Sequence, residues 1–456
     1  MNKQNSDMLG YMQVRKLLFK LAIPATAAMI INALYNLVDT FFVAWGSGTI
    51  AIGALSIAYP IQMIVLAIGL MIGVGSSSVF SRAFGRQDEK AMKKAVNTAI
   101  MVNLILSISI SLIAYIYLDQ LLVLFGATES NIDYARDYLR IILIALVPFS
   151  LSIVFNNLTR AEGRPKVAMV SLMIGAGLNI ILDPIFIFDF GLGLGVSGAA
   201  MATAIAKTVS FIYVFAMALS RKSSLMIDLR KIYRIDFKMM GEIFAIGLPS
   251  FVRTAMGGVL IVIVNNLIVF YAVGDPAIYI SIYGVINRLI RFSLMPGFGL
   301  VQGMVPIVGF NFGAKFYDRL YEVIGYTSKL LFIYFTTVLV IVIIFAEYLF
   351  MAFGGADDQV FVQQGAMAFR IVALGFSFVT YQVILSSTYQ AMGYPFRAFV
   401  VALSRRFIFF IPAAMILTYY FGIIGIWWTF FVADFVTGSL SFIVYKLEMK
   451  QLHTKI

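Results

Sequence analysis

Cysteine is absent from the 456 residues, and histidine occurs once, at His453 in the C-terminal tail. Disulfides, thiolate metal centres and a cysteine nucleophile are therefore excluded, and no H-E-x-x-H zinc motif can be written. A single tail histidine reads as a solvated residue rather than a ligand. Charge is scarce too: 12% of residues are charged against 61% hydrophobic, and mean hydropathy is +0.94. A soluble domain carries about 25% charged residues, so this chain cannot clothe a globular surface. The absence of a G-x-x-x-x-G-K-[ST] loop excludes ATP hydrolysis through a P-loop. No selectivity-filter-like repeat appears, which weighs against a simple channel. These absences together disfavour an enzyme.

What the chain has in abundance is long apolar runs. A helix needs about 20 residues to cross a hydrocarbon core roughly 30 Å thick. In lipid every backbone polar group must be satisfied internally, so each run must be a helix. Twelve spans are predicted, at 17–45, 52–79, 95–118, 138–160, 167–188, 195–219, 241–270, 277–305, 323–346, 365–391, 398–420 and 423–445. They are numbered in chain order below. The first continues past Asn32 and Asp39 to Trp45, too long for a cleaved signal, and is expected to be retained.

The net charge of +12 could point to nucleic acid, but its distribution does not. Alternate connections, starting from the N-terminus, hold 27 of the 34 basic residues, among them Arg82, Arg86, Arg164, Lys222, Arg319, Arg397, Arg405 and Arg406. The opposite connections hold Arg136 and Arg140 with acids such as Asp119, Glu129, Asp275 and Asp358. This positive-inside asymmetry predicts a multi-pass protein of the cell membrane with both termini cytoplasmic, and no nucleic-acid partner.

An internal repeat divides the chain. "RAFG" at 82–85 corresponds to "FNFG" at 310–313, "LFGA" at 124–127 to "AFGG" at 352–355, "AEGRP" at 161–165 to "AMGYP" at 391–395, and "GVSGAA" at 195–200 to "GIIGIW" at 422–427. Offsets of 227–230 residues carry four matches in order. Each copy holds an even number of spans, so both enter the membrane in the same orientation, and the implied axis runs along the membrane normal. The expected fold class is an all-α membrane protein of twelve transmembrane helices in two parallel six-helix repeats. The N-terminal lobe is 1–219, the cytoplasmic linker 220–240 and the C-terminal lobe 241–456, with a cavity between the lobes that opens to alternate sides.

Ionisable residues inside spans are costly and mark function. The acids are Asp39, Asp183 and Asp434; the bases are Lys207, Arg253, Arg288, Arg291 and Arg370. Asp39 lies six residues short of Trp45 and Asp183 six short of Asp189, so both sit about 9 Å below the same face. Two carboxylates at one depth suit a proton or Na⁺ site. Asn179, Tyr35 and Asn36 stand three or four residues before them on the same helical faces. Oxygen donors suit a hard cation, and no soft ligand is available. Asp434 and Lys207, at corresponding places in the two repeats, either pair, face the cavity separately or reach an interface. Arg253, Arg288 and Arg291 are candidates for gating, for holding an anionic group, or for structural roles, and Arg370 reads as a snorkelling residue.

The motifs "YNLVDTFFV" in span 1, "FNNLTRAEGRP" closing span 4, "GLNIILDPIFIF" in span 5 and "GVSGAAMATAIA" in span 6 resemble the multidrug and toxic compound extrusion (MATE) transporters, in particular their DinF-like and MepA-like branches. The resemblance implies a V-shaped two-lobe transporter that exports organic, often cationic, compounds against H⁺ or Na⁺, acting as a monomer among membrane lipids with no cofactor beyond the coupling ion. It also implies an N-lobe cation site at Asp39, Asn179, Asp183 and Thr203, with Asn156 as a further member; Asp39, Asn179 and Asp183 would ligate Na⁺. Asn156 lies four residues from Arg160 at the inner end of span 4, a depth that does not match the others. The substrate pathway would draw on Tyr35, Asn36, Arg253, Arg288, Arg291 and Asp434. The NorM-like branch carries an acid in span 7, where this chain reads "GLPSFVRTAMGG" with Arg253 instead. The runner-up reading is a flippase for a lipid-linked precursor or polysaccharide, whose cavity would present cations to an anionic headgroup.

Overall fold

A computed structural model describes residues 3–125, 127, 132–228, 235–354 and 358–453, excluding the side chains of 3, 36–37, 40–41, 43–58, 354 and 449–453. The side chains of Asn36 and Trp45, together with Glu129 and the linker residues Arg230, Lys231 and Arg234, therefore lie outside the described set. No strand occurs among the described residues.

Eleven helices are long and apolar enough to span a membrane, and a bent pair brings the number to twelve. In chain order the spans are Val14–Tyr35, Tyr59–Gly85, Glu89–Ile116, Ile132–Ala161, Pro165–Ile187, Gly195–Leu219, Phe237–Tyr271, Pro276–Gly313, Tyr317–Phe353, the pair Gln359–Ala373 and Phe376–Met392, Pro395–Phe421, and Ile423–Glu448. Each matches one predicted span. Spans 2, 7, 8 and 9 run beyond their predicted ends, because polar terminal turns continue the helix past the apolar run.

Spans 1 and 2 belong to a single helical element, Val14–Gly85. A straight helix of that length would reach about 108 Å. Gly10 and Gly85 nevertheless both lie against Phe310, so the element is not straight. Span 10 bends by 44° at Leu374–Gly375. Gly375 is required there, since a Cβ would stand 2.8 Å from the Asp434 carboxylate.

The two halves of the sequence meet through the repeat motifs. A Cβ on Gly85 would lie 2.0 Å from the Phe310 carbonyl, and a Cβ on Gly313 would lie 2.1 Å from the Arg82 carbonyl. Corresponding residues thus touch reciprocally, and only a backbone without Cβ permits it. Span 2 also packs on span 7 through Gly75 and Gly247, and span 8 on span 1 through Gly299 and Gly303. The contact is reinforced by Ser78, which donates to the Gln390 carbonyl at 2.5 Å, and by the Arg82–Glu242 ion pair at 2.9 Å. Leu17, Leu21, Phe84, Ile286, Ile307 and Phe310 belong to one buried core shared by both halves. A second core, containing Tyr138, Leu143, Ile187 and Val196, joins spans 4, 5 and 6. It forms the apolar surroundings of the first candidate site.

Candidate functional site

The helix period brings most of the N-half residues together. Asn179 and Asp183 share one face of span 5, one turn apart, and both are buried, with Asp183 at 0% exposure. Span 6 packs alongside, and Asn179 Nδ2 donates to Thr203 Oγ1 at 3.1 Å. Asp39 of the first helical element faces Asp183 and is within electrostatic reach of Lys207. The Lys207 ammonium sits over the rings of Tyr35 at 4.8 Å and Phe149 at 5.2 Å. Tyr35 and Tyr138, both buried, close the site, with Gln62 donating to the Tyr138 hydroxyl at 3.5 Å.

The polar inventory of this site is unbalanced. Among the described residues neither Asp183 oxygen has a well-aligned donor, although Asp39 and Asn179 stand beside it, and the Asn179 Oδ1 also lacks a partner. Pro184 has no N–H, so the carbonyl one turn earlier, at Ile180, loses its helical donor. At Asp183 itself acceptors stand without donors, while the Lys207 ammonium serves Asp39. A buried carboxylate without donors is costly as a bare ion. A proton, or an oxygen-coordinated hard cation, corrects the imbalance.

Asn156 is not brought into this site. It lies five residues before the hairpin that joins spans 4 and 5, whereas Asp183 lies eighteen beyond Pro165. At 1.5 Å per residue the two differ by about 19 Å along the hairpin. Asn156 instead donates to Ser152 Oγ at 3.3 Å and its carbonyl accepts from Arg160 Nε at 3.0 Å. Arg160 continues to Gln302 of span 8, so this polar chain links the halves.

The C-half is built otherwise. Asp434 of span 12 is held by Arg405, whose Nη2 donates to one carboxylate oxygen at 3.0 Å while Nε engages the other. Asp434 and Lys207 thus do not pair with each other. Arg405 and Arg406 fall within the predicted span 398–420 although the charge count assigned them to a basic connection; they lie inside span 11, in the π-helical segment Ser404–Phe410. A continuous apolar context on both sides was the available signal. The wider turn of a π-helix redirects successive side chains; here Arg405 turns to Asp434 and Arg406 to the Arg253 carbonyl.

Arg253 donates to Ser250 Oγ at 3.3 Å, and Ser250 in turn accepts from Gln390 at 2.9 Å. Arg288 and Arg291 are exposed on span 8. Arg370 is partnered rather than simply snorkelling, pairing with Glu347 at 3.0 Å. Tyr138, Gln62 and Lys207 are the N-half contributors that sequence reasoning underrated. Their signal is weak, since single polar residues in a tyrosine-rich membrane chain point to no particular partner.

The MatE family model matches residues 24–185 and 254–437. The multidrug export protein MepA of Staphylococcus haemolyticus (strain JCSC1435) is 28% identical over 440 residues, covering 95% of this chain and 94% of its own length. MepA of Staphylococcus aureus (strain MRSA252) is 24% identical over 436 residues, with the same coverage of 95% and 94%. A solved structure described as the outward-facing conformation of a multidrug resistance MATE family transporter aligns at a TM-score of 0.91 and 23% identity, over 100% of both chains.

Proposed function

This chain belongs to the MATE family of multidrug exporters, a family of transporters and not enzymes, and on that premise we propose that it is an H⁺- or Na⁺-coupled antiporter whose coupling site is the Asp39–Asp183 pair. The observation that carries the reading is Asp183: fully buried, with neither oxygen hydrogen-bonded, and facing a second carboxylate. Loading a proton or Na⁺ relieves both the missing donors and the like-charge repulsion. Asn179 and Thr203 would orient the site, and Asp39, Asn179 and Asp183 would supply Na⁺ ligands.

In this reading the chain forms two six-helix lobes, 1–219 and 241–456, joined by 220–240, and works as a monomer in the lipid bilayer with both termini cytoplasmic. The halves pack near Arg82 and Arg319, the basic end that this reading makes cytoplasmic, which supports an outward-facing arrangement. Cation binding from outside then favours release of the small-molecule substrate, and only a cation that binds the two states differently can do this. The test is efflux of a fluorescent organic cation from proteoliposomes, with pH and Na⁺ gradients imposed independently. Asp39→Asn and Asp183→Asn are expected to abolish gradient-driven efflux in folded protein. Normal coupled efflux in both variants would remove the mechanism.

A further inference from the structure

The C-half cluster holds more positive charge than it neutralises. Arg253, Arg291 and Arg406 each lie within four residues of the middle of their spans, whose midpoints fall near 254, 294 and 408. Arg406 is within electrostatic reach of Arg253, Arg405 and Tyr283, and Tyr283 is within reach of Arg291, so the four arginines form one neighbourhood. Among the described residues the carboxylate recorded in it is Asp434, and both of its oxygens are taken by Arg405. Among the described residues, Arg253, Arg291 and Arg406 form no ion pair; their recorded partners are a hydroxyl and a carbonyl.

An unpaired arginine at mid-bilayer depth is too costly to face acyl chains. Arg253 and Arg291 are exposed, which places them on the side of the cavity that the two-lobe reading expects between the halves. Three further features make this a built site. Arg253 is anchored through Ser250 to Gln390, both buried. The π-helical turn aims Arg406 across at span 7. Buried Tyr283, packed on Trp427 and Phe430 at centroid distances of 6.4 and 6.1 Å, supports the floor. Guanidinium forks match carboxylate, sulfonate and phosphate oxygens in a way that ammonium groups do not.

We infer that Arg253, Arg291 and Arg406 form a binding site for the head group of an organic anion, so that the cavity accepts anionic amphiphiles on its C-half side. The inference rests on the export reading of the chain, and it is independent of which ion couples transport.

Two probes with the same xanthene body and opposite charge test it: fluorescein, an anion, and rhodamine 123, a cation. Binding to the purified full chain in detergent is measured by fluorescence anisotropy with no gradient present. Wild-type protein is expected to bind fluorescein, and Arg253→Gln and Arg406→Gln to weaken it by about tenfold or more. Rhodamine 123 should shift the other way and bind more tightly as a repelling charge is removed. Arg406→Lys, which keeps the charge but loses the fork, should fall between. A parallel assay follows dithionite quenching of fluorescent phosphatidylglycerol and phosphatidylcholine in proteoliposomes. Faster exchange of phosphatidylglycerol alone, with no fluorescein binding, would identify the anion as a lipid headgroup. Absence of both fluorescein binding and phosphatidylglycerol selectivity in wild-type protein overturns the inference, as does equal weakening of both probes in the glutamine variants. Gradient-driven rhodamine 123 efflux that persists in that case would leave the coupling reading standing, so the two failures are distinguishable.

Discussion

Lys207 and Asp434 stand 227 residues apart, at corresponding positions of spans 6 and 12, and their surroundings are inverted in charge. In the N-half a lysine lies beside Asp39, which itself faces Asp183. In the C-half an aspartate lies beside two arginines, Arg405 and Arg406. The bookkeeping of hydrogen bonds differs as well. Asp183 has no donor at either oxygen, whereas Asp434 has a guanidinium at both. One helical frame therefore carries a carboxylate that needs a cation and another whose cation is built in. Sequence symmetry sets where charged groups sit; local partners decide whether they are free to exchange ions.

That contrast can be broken at its strongest point by removing one charge from each half. Asp434→Asn leaves the partly buried Arg405 without its counter-ion and is expected to destabilise the protein by about 3 kcal/mol, the lower end for broken buried pairs. Asp183→Asn removes no partner, so the thermal midpoint in detergent should hold or rise while coupling is lost. An Asp434→Leu, Arg405→Met double variant should recover most of the stability lost by Asp434→Asn. Equal midpoints for the two single variants would erase the distinction between the halves.

A smaller effect is expected where the halves touch. Gly313→Ala puts a methyl about 2.1 Å from the Arg82 carbonyl, and overpacking of this kind costs roughly 1–3 kcal/mol. Gly85→Ala should behave alike, because the contact is reciprocal. Cross-linking yield between cysteines introduced at Ser78 and Ala391 reports the closure directly. An unchanged yield in both alanine variants would mean that the reciprocal contact does not hold the halves.

A purely pH-dependent effect lies at the linker. Glu162 is buried in the "AEGRP" turn and accepts from the Ser224 amide at 2.6 Å and the Ser223 hydroxyl at 3.0 Å, with Arg164 at 3.1 Å. Burial nevertheless pushes its carboxyl up from 4.5 to about 7. A raised carboxyl pKa means that the folded state binds the proton more tightly than the unfolded chain. Stability contributed there is present below about pH 4.5 and falls as pH rises toward about 7. Glu162→Gln should flatten that part of the profile of thermal midpoint against pH. The corresponding turn, "AMGYP", carries Met392 in place of the acid and offers no such slope.

Much of this was legible in the sequence. Apolar length sufficed for all twelve spans, because a bilayer imposes one thickness on every crossing helix. Asp39, Asn179 and Asp183 were singled out by helical spacing and depth, and Thr203 by the family resemblance; the structure groups Asn179 with Thr203 and Asp39 with Asp183. Asn156 failed on depth, and the mismatch could already be read from its distance to Arg160. Arg405 and Arg406 were counted with a basic connection, although they fall inside the predicted span 398–420, because two adjacent arginines in a strongly basic chain look like one. Their true setting depends on a π-helical turn and on Asp434, a partner from another span. Periodicity has no access to either. The bend of span 10 was hidden for the same reason: Gly375 yields to Asp434, a contact that no local pattern encodes.

The central claim, that the N-half carboxylates bind the coupling ion and the C-half aspartate does not, is tested most directly by cation-jump electrophysiology. Proteoliposomes adsorbed on a solid-supported membrane are exposed to a step in pH or in Na⁺, and the charge displaced is recorded. Wild-type protein should give a transient for one of the two ions, and Asp183→Asn should abolish it in protein that remains folded. A wild-type-sized transient in folded Asp183→Asn would contradict the account.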